Sequence, residues 1–247
     1  MGSTSPVALI LGQGANVGKS VAGAFAKKGY KIALVARSLK EENSTASELH
    51  IKGDLADPES VTAIFGKVKT KFGPPSVVVY NGRWCLVSYA LCSADWCAAA
   101  SAWTRIDKSN PFALPLEDFN RDFAINTTSA FMAAKHAALA FDELPASAAR
   151  TFIYTGNCTN VMPMGALFHS GMGKSAAAHM IQIAAEAYKD KGFKFYYADE
   201  RKPDGTPMYG AINGDAHADY YMELAEEAAQ GPWAQTFVKG VGYTKFY

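Results

Sequence analysis

Three glycines at positions 12, 14 and 18 follow the apolar run Val7–Leu11, and an amphipathic segment reaching Lys28 opens beside them. Glycine lets a backbone come into contact with a bulky anion, and the N–H groups at a helix start, helped by the helix dipole, favour negative charge. That chemistry suits the phosphates of a nucleotide. Gly12, Gly14, Asn16, Val17 and Gly18 would line such a cradle. At the end of the next apolar run, Ala36 is followed by Arg37 and Ser38. A carboxylate there would hydrogen-bond the ribose hydroxyls of NAD, whereas a guanidinium and a hydroxyl suit a ribose 2′-phosphate. The expected cofactor is therefore NADP(H).

The elements that must position these groups can be read from hydropathy. Val7–Leu11 and Ile32 to Ala36 are continuous apolar runs of the kind found in parallel strands buried on both faces, with a helix between them. This is a βαβ unit. The Walker A pattern GxxxxGK[ST] would end on Gly18, Lys19 and Ser20 but needs glycine where Gln13 stands. GxGxxG also fails, because three residues separate Gly14 from Gly18. Further on, a short strand ending at Asp54 precedes a helix capped near Asp57 with Pro58 in its first turn. Ser76 to Tyr80, Arg150 to Thr155, Phe193 to Ala198 and Thr236 to Lys239 read as further strands. Asp118 to Phe141, Ser175 to Lys191 and Asp219 to Gln230 read as helices, and Lys202 to Asn213 as a loop.

Composition narrows the partners. The chain has 247 residues, 49% of them hydrophobic, enough for one large α/β domain. Twenty-four basic and 23 acidic residues leave a net charge of +1 with no basic block, which argues against a nucleic-acid or membrane-surface partner and for a small molecule. No apolar run approaches the ~18 residues of a membrane span. The polar start MGSTSP lacks a signal-peptide core, and Pro6 stands where a myristoylation motif needs Ser or Thr. A cytoplasmic location is expected. Four cysteines without CxxC spacing and five scattered histidines suggest neither a disulfide framework nor a zinc site, and no metal is assigned.

Leu11-Gly12 to Gly18 resembles the TGxxxGxG turn of the short-chain dehydrogenase/reductase superfamily, with Leu11 for Thr and Asn16 for the middle Gly. Asp54-Leu55 resembles the family's adenine-binding pair, and Tyr80-Asn81-Gly82 its NNAG segment beside the cofactor. The resemblance extends over nearly the whole chain. It implies a single doubly wound parallel sheet, Rossmann-like, spanning 1–247, with an atypical insertion at about 82–110. That insertion holds Trp84, Trp96, Trp103, Cys85, Cys92 and Cys97, and reads as a lid, a satellite core or a translated intron. The resemblance also makes Asn126 the helix-kinking residue that holds a water near the active-site lysine, and Lys174 the lysine of YxxxK. The tyrosine of that motif is absent, with Ser170 in its place, and Asn157, thirteen residues earlier, replaces the family's serine.

The usual reduction sends hydride to a carbonyl carbon while the tyrosine, its pKa lowered by the lysine, protonates the oxygen. Ser170 is shorter by a ring and a far weaker acid. His169, Tyr154 and the pair Tyr196-Tyr197 are the substitutes in reach along the sequence, and Asp199 or Arg201 can touch a substrate at the strand end. An iminium or enone acceptor would need no such acid. The expected function is an NADP(H)-dependent reductase of atypical mechanism acting on a carbonyl, enone or imine of a small metabolite. The alternative is a non-redox protein on the same scaffold, binding the cofactor or catalysing a cyclisation, with a P-loop hydrolase a distant third. Helices Asp118 to Phe141 and Ser175 to Lys191 resemble those through which the family forms homodimers and homotetramers.

Overall fold

A computed structural model describes residues 5–82 and 109–247. Seven parallel strands, β1 (Val7–Leu11), β2 (Lys31–Ala36), β3 (Glu48–Lys52), β4 (Val77–Tyr80), β5 (Thr151–Thr155), β6 (Lys194–Arg201) and β7 (Ala234–Val238), form one sheet, closed at one edge by the antiparallel β8 (Gly242–Tyr243). Their order is β3-β2-β1-β4-β5-β6-β7-β8. Described helices are α1 (Val17–Lys27), α2 (Pro58–Phe72), α3 (Leu116–Phe123), α4 (Ser129–Asp142), α5 (Phe168–Ala187) and α6 (Gly214–Glu226).

Apolar continuity in the strands follows from cover on both sides. Residues Leu9, Val35, Val78, Tyr80, Phe152 and Phe195 face α2, α4 and α5, while Ile10, Leu34, Val79, Ile153 and Tyr196 face α1 and α6. A strand such as β4, VVVY, is therefore buried throughout instead of alternating. Because β1 lies between β2 and β4, the chain leaves their carboxyl ends in opposite directions. The crevice that this reversal opens is where such sheets bind ligands. The doubly wound parallel sheet expected from the sequence is present.

Several boundaries differ from expectation for physical reasons. The helix expected from Asp118 to Phe141 is α3 and α4 joined by a π turn, Ala124–Thr128, with Asn126 inside it. A π turn inserts one residue and loosens the carbonyl ladder. The sheet compensates: the Tyr80 hydroxyl donates to the Ile125 carbonyl at 2.5 Å and the Tyr154 hydroxyl to the Asn126 carbonyl at 2.8 Å. Helix α5 begins at Phe168 instead of Ser175, so Ser170 and Lys174 are helical, and it ends in a 3-10 turn at Lys189–Lys191. Helix α6 starts at Gly214 instead of Asp219 because Asn213 caps it, Oδ1 accepting from the Ala216 N–H at 2.9 Å. Strand β6 runs to Arg201, past Ala198, because its charged end is neutralised internally and pairs with β7. The last long strand begins at Ala234 instead of Thr236. Asp57 caps α2 as expected, accepting from the Glu59 N–H. The tryptophan- and cysteine-rich segment lies outside the described residues. Among those that follow it, Phe112 meets Phe168 edge-on with ring centres 5.5 Å apart.

At the other end of β6, Lys194 is buried and donates to the carbonyls of Leu224 at 3.1 Å, Ala225 at 2.9 Å and Glu227. These are carbonyls at the end of α6 that have no intrahelical donor, and an ammonium there also meets the negative end of the helix dipole. Lys194→Met leaves them buried without a partner, so it should lower stability by about 2 kcal/mol. The measurement is the urea midpoint at constant slope, and an unchanged midpoint would show that the contact is dispensable.

Candidate active site

The glycine turn is built by close packing at two positions and by openness at a third. Gly12 has φ of +96°, and a Cβ there would lie 2.4 Å from the Asn81 carbonyl oxygen. A Cβ on Gly18 would lie 2.8 Å from the Gly12 oxygen, so the turn can fold back on itself only with glycine at both sites. Gly14 has nothing within 4 Å of its ideal Cβ. The packing of the protein itself does not require glycine there. Asn81 locks the turn, its N–H donating to the Leu11 carbonyl at 2.7 Å and its Nδ2 to the Gly12 carbonyl at 2.8 Å. Of the first N–H groups of α1, that of Lys19 donates back to the Gly14 carbonyl at 3.0 Å, and those of Val17 and Gly18 have no intrahelical acceptor. Gly82 lies against the Tyr80 ring, where a Cβ would meet it at 2.6 Å.

Two expected contributors are engaged elsewhere. The Asn16 side chain does not cap α1 but donates to the Ile212 carbonyl at 2.9 Å, just before α6. Val17 is buried in the core between the sheet and α1. What these residues can offer a phosphate is their backbone.

The carboxyl ends of β2 and β3 form an open cleft of about 830 Å³ whose lining includes Arg37, Leu39, Lys40, Lys52, Gly53 and Asp54. Arg37 is exposed, and Ser38 beside it is exposed too. One Asp54 oxygen accepts from the Ala56 N–H at 3.0 Å, which orients the carboxylate at the rim. The Leu55 side chain joins the core and its carbonyl accepts from the Ser129 hydroxyl at 2.8 Å, so its side chain takes no part in the cleft.

At the other end of the crevice stands Lys174, buried on α5. Its Nζ donates to the Thr155 carbonyl at 2.9 Å and lies 4.4 Å from the centre of the Tyr154 ring. Asn126, also buried, turns its Nδ2 to the Asp122 carbonyl at 3.0 Å and offers its own carbonyl to Tyr154. Gly173 makes this possible, because a Cβ there would lie 2.6 Å from the Asn126 Cβ. Ser170 is half-buried one helical turn before Lys174. Asn157 uses Oδ1 to accept from the N–H and the hydroxyl of Thr159, at 2.9 and 2.6 Å, and so caps a 3-10 turn.

The groups that the sequence offers in place of the motif's tyrosine are engaged structurally. His169 points into the seam between α3 and α5, its Nε2 3.0 Å from Asp122 Oδ2, with both residues buried. Burial pushes the imidazole pKa down to about 4 and the carboxyl up to about 7, which disfavours the imidazolium form that a proton donor needs. Tyr80, Tyr154 and Tyr197 stand at one level of β4, β5 and β6, stacked with ring centres 5.5 Å apart. Tyr197 donates to the Asn157 carbonyl at 2.8 Å and accepts from its N–H at 3.1 Å. Tyr196 faces the opposite side and donates to Glu227 at 3.0 Å. Burial drives the phenol pKa of Tyr154 and Tyr197 well above the ordinary value. None of them is poised to act as an acid.

The site includes groups whose contacts the sequence does not announce. Asp199 is buried, and its Oδ2 accepts from Arg201 Nε at 2.6 Å. The guanidinium also donates to the Gly205 carbonyl at 3.0 Å and lies 5.6 Å from the centre of the Tyr247 ring. Tyr221 of α6 donates to the Thr155 hydroxyl at 2.9 Å. The charged triplet at 199–201 was a visible signal, whereas Asp122 showed only as a carboxylate one turn before Asn126 on the helix face that becomes buried. Among the described residues, no cluster of three or more His, Cys, Asp or Glu has metal-holding geometry, and no helix is long and apolar enough to cross a membrane.

Comparison with known proteins accords with this geometry. Residues 6–197 match the sequence model of the family described as short chain dehydrogenase. The chain is 50% identical over 245 residues to the short chain dehydrogenase/reductase dmxR12 of Cryptosporiopsis sp. (strain 8999), covering 98% of this chain and 96% of that protein. Among solved structures, it resembles a short-chain dehydrogenase/reductase from Serratia marcescens with a TM-score of 0.65 at 19% identity, over 95% of this chain and 96% of that one. A metagenomic short-chain oxidoreductase in complex with NADP matches with a TM-score of 0.72 at 17% identity, over 96% and 99% of the two chains. The chain belongs to the short-chain dehydrogenase/reductase family.

Proposed function

We propose that the protein is an NADP(H)-dependent reductase that acts on a carbonyl, enone or imine of a small metabolite without the family's tyrosine. The observation that carries this reading is the pairing of two half-sites on one crevice: a glycine turn with a cleft where Arg37, Lys40 and Lys52 stand among Glu41, Glu42, Asp54 and Asp57 at one end, and a buried Lys174 anchored beside Asn126 at the other. The open Gly14 and the N–H groups of α1 suit a pyrophosphate. Arg37 and Ser38, with Lys40 and Lys52 on the same cleft, suit a 2′-phosphate. Asp54 and the Leu55 backbone suit the adenine edge, Asn81 and Gly82 the wall beside the cofactor, and Lys174 the nicotinamide ribose. The bound cofactor would supply hydride. The chain's own residues hold it, exclude water through the tyrosine row beneath, and leave Ser170 and Asn157 as the polar groups nearest the family's reacting positions. A relative solved with NADP has the same fold, which is consistent with this cofactor.

One observation favours the non-redox reading: His169, Tyr154 and Tyr197 are all engaged as structural groups. Tight NADPH binding without oxidation by any ketone, enone or iminium acceptor would establish that reading and overturn the reductase. Arg37→Ala should weaken NADPH binding roughly 10- to 100-fold and leave NADH binding nearly unchanged, as read by calorimetric titration. Equal losses for the two nucleotides would refute the 2′-phosphate role.

The proposal includes a homodimer or homotetramer in the cytoplasm. The outer faces of α4 and α5 carry Phe131, Leu139, Met172 and Ile183 with 52%, 55%, 47% and 56% of their surface exposed. Aligned apolar groups on two adjacent helices favour burial against another copy. Light scattering should give a multiple of the 26.5 kDa chain mass, and Leu139→Glu with Ile183→Glu should give the monomer. A monomeric wild type would refute this.

A further inference from the structure

With the tyrosine absent and its substitutes engaged, the proton for the reduced substrate needs another source on the Lys174 side of the sheet. We propose that Asp199 is that source, so that the acid of this enzyme has moved from helix α5 to the end of strand β6. The inference rests on the reductase reading given above.

The placement follows from strand periodicity. Phe195 and Tyr197 face α5, and Asp199, two residues further, lies on that same face at the carboxyl end of the sheet. Its neighbour Ala198 is in register with Thr155, whose carbonyl receives the Lys174 ammonium. Asp199 thus stands one residue beyond the level of the Lys174 anchor. The next residue of β5 is Gly156, whose N–H donates to the Ala198 carbonyl at 2.7 Å and whose lack of a side chain makes room for the Tyr197 ring. Arg201 fixes the carboxyl through Oδ2. The guanidinium is itself held by Gly205 and lies under the Tyr247 ring, so the carboxyl cannot swing away freely.

The charged and titratable groups around Asp199 come from every neighbouring element: Lys174 on α5, Glu200, Arg201 and Tyr197 on β6, Cys158 after β5, Tyr221 on α6 and Tyr247 near the end of the chain. Burial outweighs the pull of Arg201 and Lys174 and raises the carboxyl pKa to about 6. The proton is then present below that pH and lost above it. In the step, the carbonyl carbon gains a C–H bond from the hydride of the reduced nicotinamide, and its oxygen gains the proton of Asp199. The nicotinamide C–H and carboxyl O–H bonds break, the substrate is reduced by two electrons, the nicotinamide is oxidised, and the carboxylate recovers a proton from water.

The test combines a reading that needs no turnover with a rescue. Infrared difference spectra of the cofactor-free protein should show, beside the Asp122 carboxyl that persists in every variant, a protonated carboxyl that disappears between roughly pH 5 and 7, is absent in Asp199→Asn and is shifted in Asp199→Glu. With an acceptor found by the panel above, Asp199→Asn should keep NADPH affinity and lose about 10²- to 10³-fold in kcat. Adding Ser170→Tyr to that variant should restore at least tenfold and move the fall in rate with rising pH to higher pH, because a phenol holds its proton longer. Circular dichroism checks that each variant is folded, and should Asp199→Asn fail to fold, Asp199→Glu carries the assignment. A carboxyl that stays ionised throughout this pH range, or Asp199→Asn turning over like the wild type, overturns the inference and leaves the reductase reading intact. A wild type that oxidises no NADPH overturns that reading and the inference with it.

Discussion

Tyr80, Tyr154 and Tyr197 close the carboxyl end of the central strands, and their hydroxyls reach groups that would otherwise be buried without partners. A phenol is long enough to cross from the sheet to the helix layer, apolar enough to stack in the core, and polar at its tip. Two of the three tips satisfy carbonyls loosened by the π turn, and the third holds both backbone groups of Asn157. The π turn positions Asn126, and the middle ring carries the Lys174 ammonium above it. The space is so tightly filled that a Cβ on Gly82 or Gly156 would overlap a tyrosine ring. If the row were disturbed, the lysine anchor, the turn and the strand end would all shift together.

The same row accounts for the loss of alternative acids. A hydroxyl that satisfies a buried carbonyl is fixed by the penalty for leaving that carbonyl unpaired, and burial makes its ionised form costlier still. Tyr154 and Tyr197 therefore stabilise the site at the expense of reactivity. His169 illustrates the same conflict in the helix layer, where burial against Asp122 drives both partners towards neutrality. Strand β6 handles its charges differently. Lys194 at its start neutralises a helix end, and Asp199 with Arg201 at its finish form a buried pair. Such pairs contribute little net stability, so a charged end of a central strand points to position more than to packing.

The two halves of the crevice are joined mechanically. Asn16, standing where the family pattern has glycine, reaches the Ile212 carbonyl, and Ser20 donates to Asp215 at 2.9 Å. A Cβ on Gly214 would lie 2.5 Å from Asn16 Oδ1. The turn that suits phosphates is thereby tied to the segment leading into α6, while Glu200 on the adjacent strand accepts from the Asn213 N–H at 2.8 Å. Asn16 acts here as a strap within the protein.

What the sequence by itself determined was whatever depends on local spacing. Continuous apolar runs required a sheet covered on both sides, Gly12 and Gly18 required a tight turn, and Asp57 with Pro58 required a helix start, because each rests on sterics or hydrogen bonds among near neighbours. Arg37 and Asp54 were legible in the same way, at strand ends, whereas Asn126 and Lys174 were singled out by resemblance to the family's motifs. Tertiary structure alone decided where side chains point. Asn16 turned to Ile212, Leu55 into the core, His169 to Asp122 and Asn157 to its own turn, since a side chain settles with whichever partner best compensates its burial, and those partners lie far away in sequence. The charges of 199–201 were visible as a cluster. That Arg201 would hold one Asp199 oxygen on the Lys174 face depended on β6 extending past Ala198, which pairing with β7 supplied.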